Sequence, residues 1–276
     1  MGRFVEARKS LGQNFLHDPA CHKKIRECIQ RSSQNHWLEI GCGTGEITKH
    51  FAQMGKSLTG VELDDRLIGP LESIFESMEE GRLFHQSILD LSEQDLELPG
   101  AYSILGNLPY YITSPILEHV LQNYKGFDDF YLMVQKEVGD RIVSAHGSKT
   151  YGRLSLFVQL HCEARKCFDV KRGCFQPAPK VDSVFLHLKK RQQVPALEVR
   201  ETLLKLAKIA FSQRRKKMAK LLKNVHSGFL WEECLEDMGK SPNSRAQELS
   251  VEDFLELTGR FLENSSDFHS PEKKVE

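Results

Sequence analysis

A short apolar strand, Trp37-Leu38-Glu39-Ile40, runs straight into Gly41-Cys42-Gly43-Thr44-Gly45 and then into a helical pattern from Glu46. This join restricts the fold more than any other stretch, because strand, glycine turn and helix in immediate succession suit an α/β layer architecture. Glycines two apart let the backbone turn sharply and approach a ligand closely. The spacing is G-x-G-x-G, not the G-x-G-x-x-G that usually cradles a dinucleotide pyrophosphate. A second strand, Ser57 to Leu63, carries Glu62 near its end, seventeen residues beyond Gly45. A carboxylate at that place can accept both ribose hydroxyls of an adenosine-containing cofactor.

The same alternation continues to about residue 190. Strands are predicted near 36–40, 57–63, 82–86, 101–106 and 128–134, each followed by a helix-compatible segment. Two later strands, near 164–170 and 181–188, have no helix between them, and Gly173 and Pro177 mark their turn. The expectation is a doubly wound, seven-stranded Rossmann-like sheet in which a hairpin brings one strand antiparallel. Pro195 marks a linker, and beyond it Leu203, Leu206, Ala207, Ala210 and Phe211 recur at helical spacing. The chain therefore divides into a basic, mobile arm (1–17), an α/β domain (18–190), a small helical domain (198–262) and a disordered tail (263–276).

Asn107-Leu108-Pro109-Tyr110 carries the chemistry. It follows the apolar run Tyr102 to Gly106 and precedes Thr113-Ser114-Pro115, which predicts a helix cap with proline at the first helical position. The tetrapeptide thus sits at the carboxyl end of a strand, where open α/β sheets place their ligands. An adenine N6 lone pair is delocalised into the ring and is a poor nucleophile until the nitrogen is pyramidalised. An Asn107 side-chain oxygen and the Leu108 carbonyl can accept both N6 hydrogens. Pro109 restricts Leu108 to an extended geometry, and Tyr110 offers a face on which an extruded base can stack. Glycine loop, acidic strand end and this tetrapeptide, in that order, point to S-adenosyl-L-methionine and methyl transfer.

Seven motifs in order strengthen that reading. They are Leu11 to Leu16, Glu39 to Gly45, Gly106 to Tyr110, Gln135 to Val138, Tyr151 to Ser155, Phe175 to Ser183 and Ala210 to Lys216. From about residue 8 to about 224 the chain resembles the ribosomal RNA small-subunit adenine dimethyltransferases. Members of that family modify N6 of two adjacent adenosines near the 3′ end of the RNA. The resemblance implies the methyltransferase variant of the sheet, binding to small-subunit ribosomal RNA or the immature subunit, and a role in its biogenesis. It implies that Asn14 and Leu16 help cover the cofactor, that Gly41 lies against its methionine part and that Glu62 holds its ribose. Asn107 would stand between cofactor and target N6, with Tyr110 and Phe175 sandwiching the flipped adenine. Ser87 departs from the pattern, standing where the family usually has an aspartate on the cofactor's adenine amino group. A hydroxyl offers an uncharged and weaker acceptor there.

Three other classes compete. A large-subunit RNA methyltransferase conferring antibiotic resistance shares the Asn-Leu-Pro-Tyr type of motif, but Pro177 to Ser183 and the basic segment 211–217 favour the small-subunit branch. A non-catalytic RNA or transcription factor on the same scaffold would have no need of Asn107 and an intact glycine loop. A DNA adenine methyltransferase would be expected to carry a duplex-reading domain, and none is visible in the sequence.

Net charge is zero, with 38 basic and 38 acidic residues, which suits RNA poorly until the chain is divided. From Lys189 to Lys223 twelve basic residues face two acidic ones, and from Glu232 to Glu276 twelve acidic face five basic. Phosphate binding follows local potential rather than the total. Arg214-Arg215-Lys216-Lys217 is therefore the expected backbone contact, read as helical, with two or three side chains able to reach phosphates together. The seven cysteines include no C-x-x-C pair, and the spacing of Cys162, Cys167 and Cys174 does not suit zinc, so no metal is expected. No apolar run reaches membrane-spanning length and no signal peptide opens the chain. A monomeric cytoplasmic enzyme is the expectation.

Overall fold

The computed structural model describes residues 6–264. After β1 (Phe15–Leu16), Asp18 caps α1 (Pro19–Arg31) by accepting the Cys21 amide at 2.8 Å. Strand and helix then alternate: β2 (His36–Ile40), α2 (Thr48–Gln53), β3 (Ser57–Glu62), α3 (Asp65–Phe75), β4 (Gly81–His85), β5 (Tyr102–Asn107), α4 (Thr113–Asn123), β6 (Phe127–Gln135) and α5 (Lys136–Ile142). Next come α6 (Arg153–His161), β7 (Cys162–Val170), β8 (Phe175–Gln176) and β9 (Ser183–Lys190).

Seven of these strands form one sheet in the order β4-β3-β2-β5-β6-β9-β7, with β9 antiparallel to both neighbours. Central strands are buried on both faces, so β2 and β3 read as apolar runs rather than alternating ones. The sheet winds outward in both directions from β2 and β5, which pair in parallel with Ile40 opposite Gly106. Residues 41 and 107 therefore leave neighbouring strand ends at the point where strand order reverses, the usual ligand crevice of such sheets. The seven expected strands are all present, with ends displaced by two residues or fewer.

Three local expectations are corrected. Phe175 and Gln176, which fall in the expected turn between the last two strands, instead pair antiparallel with Leu16 and Phe15. That pairing anchors the described part of the 1–17 arm, which is not the mobile segment expected; residues 1–5 lie outside the described residues. Helix α4 begins at Thr113 rather than after it, and the Thr113 hydroxyl donates back to the Pro109 carbonyl at 3.1 Å.

Two compact units divide the chain: the described residues to Asp140 with Cys162–Arg191, and Arg141–His161 with the described residues from Gln192. Residues 141–161 fall inside the stretch 18–190, yet they cluster with the helical unit because α6 buries Leu156 and Leu160 in its core. That unit holds α7 (Leu197–Ala210), α8 (Met218–Leu222), α9 (Trp231–Asp237) and α10 (Val251–Asn264). Leu203, Leu206, Ala207 and Ala210 of α7 meet Trp231, Phe254 and Phe261, and Trp231 stacks on Phe261 at 5.0 Å. Helix α10 extends to Asn264, so the first two residues of the expected tail are helical, and 265–276 lie outside the described residues.

The four consecutive cations are not helical either. Residues 211–216 form a turn between α7 and α8, and Arg214 donates to the Tyr151 and Lys149 carbonyls, each at 2.8 Å. The side chains of Arg215, Lys216 and Lys217 are exposed and make no hydrogen bond or ion pair among the described residues, while the Lys216 amide donates to the Gln213 carbonyl at 2.9 Å.

Candidate active site

The glycine loop opens where β2 ends. Gly41 has φ +77° and Gly43 φ +56°, left-handed values that favour glycine, and the Gly41 amide is held by the Val61 carbonyl at 2.8 Å. A side chain on Gly41 would approach only the Asn107 carbonyl, at 3.9 Å, so the loop backbone is open to a ligand. Glu62, buried at the end of β3, sets the shape of this corner. Its Oε2 accepts the Gly43 amide at 2.8 Å, and its Oε1 accepts the Leu63 and Asp64 amides at 2.8 and 2.9 Å. A carboxylate has about four acceptor directions, so roughly one remains for a ligand hydroxyl.

Asp64, fully buried, ties down the segment that precedes β1. It receives Arg66 through Nε at 2.9 Å and Nη2 at 2.6 Å, and Gln13 Nε2 donates to it at 2.8 Å. The Arg66 guanidinium holds the Asp64 carboxyl well below the usual range, with Gln13 and the Arg66 amide adding to the effect and burial opposing it. Arg8 bridges Asp64 at 3.3 Å and Asp65 at 2.8 Å. From this anchor the chain reaches Asn14, whose backbone carbonyl accepts Asn107 Nδ2 at 3.2 Å and whose side-chain Nδ2 donates to the Gly12 carbonyl at 3.0 Å. A carbonyl can only accept, so this contact fixes the Asn107 amide and leaves Oδ1 as its free acceptor.

Asn14, Gly41, Glu62, Ser87, Asn107, Leu108 and Tyr110 all line a single cleft. Ser87 stands beside Gln86 and Ile88, and its hydroxyl already accepts the Leu89 amide at 3.3 Å as the cap of a short turn. The Leu108 amide donates to the Met133 carbonyl at 3.2 Å, fixing the tetrapeptide to β6. The Tyr110 hydroxyl meets Ser183 Oγ at 2.6 Å, and burial raises its pKa, so it stays protonated. Leu16 and Phe175 do not line the cleft. They face each other in the small sheet, 4% and 1% exposed, with their side chains in the core. The aromatic rings that do line the cleft are Phe15, Tyr110 and Tyr111.

Below the loop, Glu39 is 1% exposed and accepts the Thr48 hydroxyl at 2.7 Å. Burial pushes its carboxyl up to about 8, with the Thr48 and Cys42 hydrogen bonds pulling the other way. It does not line the cleft, which suits support of the loop rather than proton abstraction from a ligand. Among the described residues one trio of metal-capable side chains, Asp18, Cys21 and Cys174, comes together. The helix cap on Cys21 accounts for Asp18.

Sequence reasoning missed Gln13, Asp64, Arg66 and Tyr111. Asp64 caps α3, its side chain accepting the Arg66 amide at 3.2 Å, and nothing in the sequence announces its bond to Gln13 fifty-one positions away. Tyr111 follows Tyr110 directly, and no motif in the sequence distinguishes it.

Fold and site together define a Rossmann-like methyltransferase: a glycine loop and an acidic strand end beside an Asn-Leu-Pro-Tyr turn, across the switch point of a doubly wound sheet. The chain belongs to the ribosomal RNA adenine dimethylase family, which matches residues 5–262. A relative in Geobacter metallireducens, the ribosomal RNA small subunit methyltransferase A, is 36% identical over 93% of this chain and 96% of its own length. The protein of the same name from Staphylococcus carnosus is 33% identical over 91% and 88%. Among solved structures, a dimethyladenosine transferase from Plasmodium falciparum superposes with a TM-score of 0.77 at 25% identity, covering 90% of this chain and 98% of that one. The 23S rRNA methyltransferase ErmE has the same fold, with a TM-score of 0.70 at 22% identity over 90% and 99%. No helix among the described residues is long and apolar enough to cross a membrane.

Proposed function

We propose that this rRNA methyltransferase takes methyl groups from S-adenosyl-L-methionine and dimethylates N6 of two adjacent adenosines near the 3′ end of small-subunit ribosomal RNA. It acts as a cytoplasmic monomer on the immature subunit and contributes to its assembly. The observation that carries this reading is the fixed amide of Asn107, an acceptor oriented by the Asn14 carbonyl at the strand end beside Gly41. Relatives over 30% identical along almost the whole chain, named for the small subunit, support that branch over the large-subunit one.

The residues present fit the cofactor. Open backbone at Gly41 accommodates its methionine part, Glu62 keeps an acceptor direction for a ribose hydroxyl, and Ser87 with Gln86 borders the place for its adenine. Asn14 covers it, and Leu16 acts indirectly by holding the strand that carries Phe15. When bound, the sulfonium supplies an activated methyl and a good leaving group. The chain's own work is alignment and exclusion of water. Asn107 Oδ1 and the Leu108 carbonyl accept the two N6 hydrogens and favour the tetrahedral nitrogen, while Tyr110 stacks on the flipped base. After the first transfer one hydrogen remains, and one of the two acceptors suffices to hold it. The released proton leaves to solvent, so no strong general base is required. Arg215, Lys216 and Lys217 contact the RNA backbone.

The test is direct. Purified protein, cofactor and small-subunit particles lacking the modification are incubated, and the RNA is digested and analysed by mass spectrometry. N6,N6-dimethyladenosine at two neighbouring positions is expected. Methylation confined to large-subunit RNA, or none, overturns the reading.

A further inference from the structure

The two tyrosines after Pro109 differ sharply in environment. Tyr110 is partly buried and tethered through its hydroxyl to Ser183. Tyr111 lines the same cleft but is 60% exposed, and it makes no hydrogen bond or ring contact among the described residues. A lone exposed aromatic side chain needs no explanation in itself. This one is held at the rim by the chain that covers the cleft. Gly12 has φ +59°, and a side chain there would lie 2.9 Å from Tyr111 Cδ1 and 3.2 Å from Cε1. The Tyr111 ring therefore leans closely on the Gly12 backbone while much of its surface stays open to solvent.

A flipped base leaves its neighbour outside, still joined to it by one phosphodiester and stripped of a stacking partner. Unstacking costs a few kcal/mol, and an aromatic ring can return part of it whatever the base. We propose that Tyr111 is the stacking platform for the base next to the adenine being methylated, so that consecutive tyrosines hold consecutive bases, one inside the cleft and one on its rim. This rests on the reading of the site as an adenine methyltransferase acting on adjacent adenosines. The rim base and the target base would then exchange places between the two modifications, with no change in the protein.

The proposal is tested by a coupling measurement. The substrates are small-subunit particles assembled on RNA whose 3′ fragment contains the two adenosines, and the same particles with an abasic ribose in place of one of them in that fragment. Wild type, Tyr111→Ala and Tyr111→Phe are compared by single-turnover methylation of the remaining adenosine, with cofactor affinity measured separately. Wild type should lose roughly 5- to 150-fold in efficiency on the abasic substrate, the worth of one base–aromatic stack. Tyr111→Ala should be slow on the intact particles and lose little more on the abasic ones, while Tyr111→Phe should restore the sensitivity. Equal abasic penalties in wild type and Tyr111→Ala overturn the platform while leaving the activity intact. Absence of methylation by wild type on the intact particles contradicts the activity reading itself, and this one with it.

Discussion

The cleft and the basic turn hold their charges in opposite ways. In the cleft, Glu62 and Asp64 are buried, and their oxygens are committed to specific donors, chiefly backbone amides and the Arg66 guanidinium. In the turn at 211–217, three of four cations are exposed and uncommitted, and only Arg214 is tied, to two carbonyls. Buried, committed charge fixes the backbone it binds, and removing it leaves donors unsatisfied. Exposed, free charge sets a potential, is screened by salt and is replaceable. The first arrangement suits a reaction that depends on alignment, the second a long polyanion whose phosphates all look alike.

Asn107→Ala should have the largest effect. Losing one preorganised acceptor should lower the single-turnover rate by about 10²–10³ at saturating cofactor, with cofactor affinity close to normal. A wild-type rate would remove Asn107 from the chemistry. Glu62→Ala should do the reverse, weakening cofactor affinity by about 1–3 kcal/mol through lost ribose hydrogen bonds. Calorimetric titration checks this, and an unchanged dissociation constant excludes Glu62 from the cofactor site.

For the turn, replacing Arg215, Lys216 and Lys217 together by Gln should flatten log RNA affinity against log salt by about two. Cofactor affinity should not move. An unchanged slope would mean that these side chains only solvate the surface. A separate effect, on stability rather than on rate or binding, concerns Glu39, whose carboxyl is pushed up to about 8 by burial from an ordinary 4.5. The folded chain keeps this proton while the unfolded chain has lost it, so the contribution to stability falls as pH rises from about 4.5 to about 8. Glu39→Gln, which cannot titrate, should narrow the difference between urea midpoints measured at pH 5 and pH 8. Identical pH dependence in both proteins would show that Glu39 does not hold a proton in the fold.

The sheet was legible because its central strands are apolar on both faces and each is punctuated by glycine, proline or a helical pattern. The cleft was legible where chemistry forces residue type: Gly41, Glu62 and Asn107 meet as expected. What escaped depends on long-range packing. Phe175 looks like a stacking residue until β8 pairs with β1 and turns its ring into the core. Leu16 is drawn inward by the same pairing. The 211–217 segment contains no glycine or proline to announce a break. There the Ser212 hydroxyl bonds back to the Ile209 carbonyl, and Arg214 is engaged by the 149–151 backbone, which lies in the same unit yet sixty residues earlier in sequence.

We propose that the committed geometry of the cleft serves dimethylation of small-subunit RNA. Mass spectrometry of ribosomal RNA from cells with and without this gene tests it most directly. Two adjacent N6,N6-dimethyladenosines near the 3′ end of the small-subunit RNA should be present in the first and reduced to plain adenosine in the second, with large-subunit RNA unchanged. Dimethylation that persists without the gene, or a loss confined to large-subunit RNA, would contradict it.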